Sequence, residues 1–239
     1  STRRYVIAFL ASMAFQIPVF SQQIKFEKLE LEVLDEKVKD IVNTNAQVEV
    51  LIEGLRWTEG PLWVESEKML LFSEIPSNTV YKWTEAKGME LYLNPSGYTE
   101  SAAAATREPG SNGLLLDTKG NLVLCQHGDR QMGRMNSSLK SPKPNYVTLV
   151  NSYDKSKLNS PNDAVYHSNG DLFFTDPPYG LPSQNDTDPA KELDFNGVFV
   201  FKKDAFDVAS GLNFFKSFSL LHILWVIWLL DMLQQLIPV

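Results

Sequence analysis

Three residues with side-chain oxygens, Glu59, Asn112 and Asn162, recur about fifty positions apart in this 239-residue chain. Each opens one of three stretches that align without a gap: EGPLWVESEKMLLFSE, NGLLLDTKGNLVLCQH and NDAVYHSNGDLFFTDP. A spacing near fifty lies in the range of propeller-blade repeats, where equivalent positions of successive blades surround one axis. One carboxylate with two amide carbonyls is a hard-oxygen donor set, suited to Ca²⁺ and less selectively to Mg²⁺ or Mn²⁺. Singly, each residue reads equally as a cap on a strand end or turn. Together, at one phase of a repeat, they point to a shared cation.

The elements that must position them are strands. Asn162 and Asp163 precede the run Ala164–Tyr166, a turn falls at Ser168–Gly170, and Leu172–Thr175 follows, closed by Asp176–Gly180. Short apolar runs between Gly and Pro clusters read as a hairpin. Third strands are expected at Val80–Trp83, Met132–Met135 and Gly197–Phe201, and fourth strands at Met89–Leu93 and Tyr146–Val150. Four short strands per repeat is the anatomy of a propeller blade, so the fold class is all-β.

Composition narrows the function. The formal charge of −7 and the lack of a basic stripe argue against a nucleic-acid partner. Cys125, the single cysteine, lies in an apolar run and reads as a small buried hydrophobe. Arg3 and Arg4, the apolar run Val6–Phe15 and the small-residue site ending at Ser21 form a signal peptide over residues 1–21. The expected location is therefore secreted or periplasmic. The apolar stretch is too short for a stable membrane span. Residues 22–46 make a charged lead-in, with Leu29, Leu31, Leu34, Val38 and Ile41 near helical spacing.

From Val48 to Lys203 the chain resembles the SMP-30, gluconolactonase and luciferin-regenerating family of six-bladed β-propellers. The resemblance rests on ordered blocks: Glu59–Gly60–Pro61–Leu62–Trp63, Pro109–Leu114, Cys125–Arg130, Ser160–Asp163 and Thr175–Leu181. It implies a divalent cation held by Glu59 and Asn162, with Asn112 as a ligand or substrate contact. The cation would be Ca²⁺ or another such as Zn²⁺, Mg²⁺ or Mn²⁺. It also implies hydrolysis of sugar lactones such as gluconolactone, with the general-base Asp supplied by a later blade. His127 could contact substrate or transfer protons, or be a satisfied strand-end histidine. Glu108 and Arg107 could bind sugar hydroxyls or belong to a loop salt bridge, and Tyr179 would wall the pocket. Asp163 and Asp176 are expected to fix loops through backbone hydrogen bonds.

Six blades of about fifty residues need roughly three hundred. Three to four are expected here, over residues 47–206. After about Phe206 the texture becomes apolar without alternation, and residues 207–239 read as a hydrophobic tail outside the family pattern, from a truncation or frameshift. A non-enzymatic propeller that binds a ligand or protein partner, and a metal-dependent phosphoester or organophosphate hydrolase, are the alternative readings.

Overall fold

The computed structural model describes residues 25–27, 32–40, 43, 48–100, 106–203 and 212–215. The signal peptide, Leu29, Leu31, Ile41 and most of the expected tail lie outside these. The chain divides into two units, Ser1–Leu51 and Ile52–Val239. Among the described residues, no helix is long and apolar enough to cross a membrane.

In the first unit, strand β1 (Lys25–Glu27) pairs antiparallel with β2 (Val48–Val50). Between them, Glu36–Asp40 form a single 3₁₀ turn with no buried residue. The helical spacing of the lead-in therefore yields no amphipathic helix over the described part, and Leu34 is left 87% exposed.

The second unit is built from three four-stranded antiparallel sheets, each a meander in chain order. Sheet one comprises β3 (Thr58–Val64), β4 (Met69–Glu74), β5 (Thr79–Thr84) and β6 (Gly88–Leu93). Sheet two comprises β7 (Ser111–Leu116), β8 (Leu122–Gln126), β9 (Gln131–Met135) and β10 (Tyr146–Val150). A two-stranded ribbon, β11 (Ser152–Tyr153) with β12 (Ser156–Lys157), leads to sheet three. That sheet comprises β13 (Ala164–Tyr166), β14 (Leu172–Asp176), β15 (Gly197–Phe201) and β16 (Leu212–Phe215). The fold is all-β, and each expected third and fourth strand is present.

Period-two alternation explains how the sheets stack. Leu114, Leu122 and Leu124 pack with Val64, Leu71 and Val80 of sheet one in one core. Their neighbours Leu115, Val123 and Cys125 turn the other way, toward Leu172, Phe174 and Phe199 of sheet three. Strand β8 is consequently buried along its whole length. A strand buried on both faces reads as a continuous apolar run, as Leu122–Cys125 does. The Phe174 and Phe199 rings stack with centroids 5.3 Å apart.

The opposite face of sheet one is different. Trp63, Leu70, Trp83 and Met89 are register partners in a row across its four strands. Phe72, Tyr81 and Leu91 form the next row. Leu91 is 62% exposed and Trp63 49%, so this face carries apolar surface to solvent.

Candidate functional site

The first strands of the three sheets touch one another, β3 against β7 and β7 against β13. Two glycines make that approach possible. A Cβ on Gly60, whose φ is +56°, would lie 2.4 Å from the Asn112 carbonyl oxygen. A Cβ on Gly113 would lie 2.9 Å from the Asn162 carbonyl oxygen, and the Gly113 N–H donates to that oxygen at 2.8 Å. The backbones at Glu59–Gly60, Asn112–Gly113 and Asn162–Asp163 are thus in direct succession. Register shifts between Glu59 and Leu62, and between Ser111 and Leu114, bend β3 and β7 at these positions. Bulges of this kind re-aim side chains beside functional sites. Pro61 sits inside the first bulge, where no ladder hydrogen bond is needed from it.

The seats are rigid. Buried Ser73 donates its hydroxyl to the Asn112 carbonyl at 2.8 Å, and its Oγ lies 2.8 Å from Ser111 Oγ. Asn162 donates its N–H to the Thr175 carbonyl at 2.9 Å. The side-chain amides of Asn112 and Asn162 take no hydrogen bond from any described residue, although Asn112 is buried. Glu59 is partly buried and accepts one bond, from Trp57 Nε1 at 3.2 Å. Burial raises the Glu59 pKa, and the nearby Glu108 charge adds to the rise against the Trp57 hydrogen bond.

That donor set fits a divalent cation. A carboxylate whose ionised form is disfavoured by burial and a like charge is relieved by a cation, and Asn112 and Asn162 stand at the same strand phase on the adjoining backbones. Among the described residues no three His, Cys, Asp or Glu side chains gather as a metal group, so a cation here depends on amide oxygens.

The expected substrate residues divide. Glu108 is partly buried, interacts electrostatically with Glu59, and has Oε2 3.9 Å from His127 Nδ1. His127 is wholly buried, and neither ring nitrogen has a hydrogen-bond partner. Burial lowers its pKa to about 4, against a smaller upward pull from the Glu108 backbone. A satisfied strand-end histidine does not describe it. Arg107 is exposed and makes no ion pair with an acid among the described residues, so the loop salt bridge is not seen at Arg107 there. Tyr179 makes its described contacts with the following loop: its carbonyl accepts from Gln184 Nε2 at 3.0 Å, and its hydroxyl is raised by burial and by Asp186.

Asp163 and Asp176 hold loops, as read from sequence. Asp163 Oδ1 accepts the Ala164 N–H at 2.8 Å. Asp176 is fully buried and accepts the Asn159 and Ser160 N–H groups, each at 2.7 Å. Burial nonetheless lifts its pKa to about 7, outweighing those bonds and the attraction of Arg130 and Lys191. Cys125 is buried, and burial pushes its thiol well up, which suits a core residue and not a nucleophile.

Trp57 and the paired glycines escaped the sequence reading. Trp57 stands two residues before Glu59, so an extended chain places both side chains on one side. The glycines announce themselves by following Glu59 and Asn112 at the same phase.

Comparison with known proteins bears on the family and the fold. A family profile described as the SMP-30/gluconolactonase/LRE-like region matches residues 57–222. The match continues past the change of texture near Phe206 and includes β16. A gluconolactonase of Zymomonas mobilis subsp. mobilis is 36% identical over 165 residues, 69% of this chain and 45% of that protein. A solved gluconolactonase structure from Xanthomonas campestris superposes with a TM-score of 0.58 at 28% identity, over 72% of this chain and 52% of that one. A second solved structure, a candidate gluconolactonase, gives 0.53 at 28% identity, over 69% of this chain and 50% of that one. The chain thus spans about half the length of these relatives.

Proposed function

Because the chain belongs to the SMP-30/gluconolactonase/LRE-like family, we propose that its three sheets are blades of a six-bladed propeller serving a sugar-lactone hydrolase. Glu59, Asn112 and Asn162 would hold the cation, with Ca²⁺ first among the candidates. The substrate would be a lactone such as gluconolactone, opened to the aldonic acid. One observation carries this reading. The glycine-mediated contacts of Gly60 with Asn112, and of Gly113 with Asn162, bring the three repeat-phase positions side by side. A propeller whose only task is to bind a partner has no need of oxygen-bearing side chains at all three of these positions.

The bound cation would polarise the lactone carbonyl and stabilise negative charge on its oxygen. The chain's own residues do the rest of the work available to them. Glu59 contributes the negative charge that selects a cation, and the amide carbonyls of Asn112 and Asn162 add neutral donors. Glu108, beside Glu59, offers an acceptor for sugar hydroxyls. His127 is neutral above about pH 4, so it would exchange protons as imidazole. The family resemblance puts the general-base Asp in a later blade.

Thermal unfolding with and without Ca²⁺ tests the site. A ligand at about a hundred times its Kd stabilises by about 2.7 kcal/mol, so Tm should rise by several degrees. Glu59→Gln and Asn162→Ala should each remove most of that rise. A wild-type Tm indifferent to Ca²⁺, Mg²⁺, Mn²⁺ and Zn²⁺ would sink the reading and favour the binding propeller.

A further inference from the structure

Trp57 is the exposed aromatic nearest in sequence to the candidate ligands, and the fold fixes it firmly. Its carbonyl accepts the Ile75 N–H at 3.1 Å. The preceding residue, Arg56, donates its N–H to Glu74 Oε1 at 3.2 Å, and Glu74 is itself buried beneath the turn that opens at Ile75. The Trp57 backbone is held, yet the residue is 56% exposed. Its indole N–H has gone to Glu59 Oε1 at 3.2 Å, leaving Glu59 Oε2 with no hydrogen-bond partner among the described residues. The ring therefore stands in solvent beside a carboxylate that it orients. An indole joins a flat apolar face to one polar edge, which suits a ligand that is greasy on one side and polar on the other.

We propose that Trp57 has two roles: its N–H positions the Glu59 carboxylate for the cation, and its open ring face stacks against the sugar ring of the substrate. This rests on the function proposed above and adds a residue to it. Trp57 is a positioning residue toward the cation and a binding residue toward the sugar.

The two roles separate experimentally. Tb³⁺, an oxygen-seeking probe for Ca²⁺ sites, luminesces when a nearby tryptophan absorbs the exciting light. Tb³⁺ emission excited through tryptophan should fall to a small fraction in Trp57→Phe and persist in Trp63→Phe. Ca²⁺ affinity, read by displacement of Tb³⁺, should weaken roughly tenfold in Trp57→Phe, the usual effect of losing a group that orients a ligand. Glucono-1,5-lactam, the ring amide that resists hydrolysis, serves as the sugar probe at saturating Ca²⁺. Trp57→Phe keeps a ring and should bind it nearly as wild type does, whereas Trp57→Ala should bind it about fivefold or more weakly. Wild-type Ca²⁺ affinity in Trp57→Phe, or wild-type lactam affinity in Trp57→Ala, would overturn the corresponding role. Glu59→Gln separates the two levels of argument. If it abolishes Tb³⁺ binding while Trp57→Phe changes nothing, the cation site stands and the role of Trp57 falls. If it too leaves Tb³⁺ binding intact, the site itself is misassigned and both fall.

Discussion

Two buried groups near the ends of second strands change protonation in opposite directions on folding. Asp176 is raised to about 7 by burial, and His127 is lowered to about 4 by the same cause. They are neighbours through Gly180, where a Cβ would lie 2.6 Å from His127 Cβ and 2.7 Å from Ser160 Cβ. The unfolded Asp loses its proton near 3.8, so between that pH and about 7 the folded state holds a proton that the unfolded chain has released. Its contribution to stability therefore falls as pH rises through this window. The unfolded His takes its proton below about 6.5, whereas the folded ring refuses it until about 4. Its contribution therefore grows with rising pH over that range. Where the windows overlap, the two slopes oppose. The carboxyl of Asp171, held down to about 2 chiefly by Lys202, acts below the overlap. Urea unfolding midpoints across pH 5–6.5 should show the compensation. Relative to wild type, His127→Gln should tilt the profile downward with pH and Asp176→Asn should tilt it upward. Parallel profiles for all three proteins would mean that neither group changes its proton on folding. The loop role of Asp176 was legible beforehand from an Asp at a strand end, but its donors were not: Pro177 and Pro178 have no N–H to offer, and the N–H groups come from Asn159 and Ser160, much earlier in the chain. The isolation of His127 was not legible, since it depends on how closely the chain at Gly180 comes against its side chain.

At the scale of elements, the repeat is legible in sequence wherever turn residues punctuate apolar runs. Strand β5 brackets the expected Val80–Trp83, and β15 coincides with Gly197–Phe201. What pattern alone did not reveal was β16, since Leu212–Phe215 lies where the alternation has already ended and its pairing with β15 supplies the strand. The bulges in β3 and β7 were hidden for a related reason: an extra residue disturbs the ladder without disturbing composition. A shared device also links the meanders. Asn78 and Arg130 both adopt φ near +57° after a second strand. Asn78 Oδ1 takes the Gly97 N–H at 2.7 Å, and Arg130 Nε donates to the Leu158 carbonyl at 2.6 Å, so each clamps the chain leaving its own fourth strand. The inner contacts make the sharpest test. Gly60→Ala and Gly113→Ala force a methyl group into neighbouring backbone and should each cost about 1–3 kcal/mol, with cation-induced stabilisation weakened as well. Gly120 also has positive φ, but a Cβ there meets nothing within 4 Å. Gly120→Ala should cost about 1–2 kcal/mol from backbone strain and leave the cation response unchanged. Equal losses of the cation response in all three variants would show that the inner contacts do not shape the site.

At the scale of the molecule, sheet two has partners on both faces and sheet one has an apolar face turned outward. Phe72 is buried on this face, but Trp63, Met89 and Leu91 are exposed, and exposed apolar side chains grouped on one face promote association. Sedimentation of the wild type should show concentration-dependent self-association, and Trp63→Lys with Leu91→Lys should suppress it at a cost of no more than about 1 kcal/mol in stability. A wild type that stays monomeric at high concentration would mean that this face is covered. The inner strands carry a further consequence. Gly60 meets Asn112, and Gly113 meets Asn162 and Asp163, but the residue after Asn162 is Asp163 and not glycine. The repeats are therefore not interchangeable parts. Each junction has its own key: two are cut as hollows that admit a neighbour's backbone, and the third is cut as a carboxylate already engaged with Ala164. A strand added beyond β13 would have to fit that different key. A shuffled chain, with repeats exchanged but every strand kept, would offer a carboxylate where a hollow is needed, so the order of the repeats is written into three adjacent backbone positions.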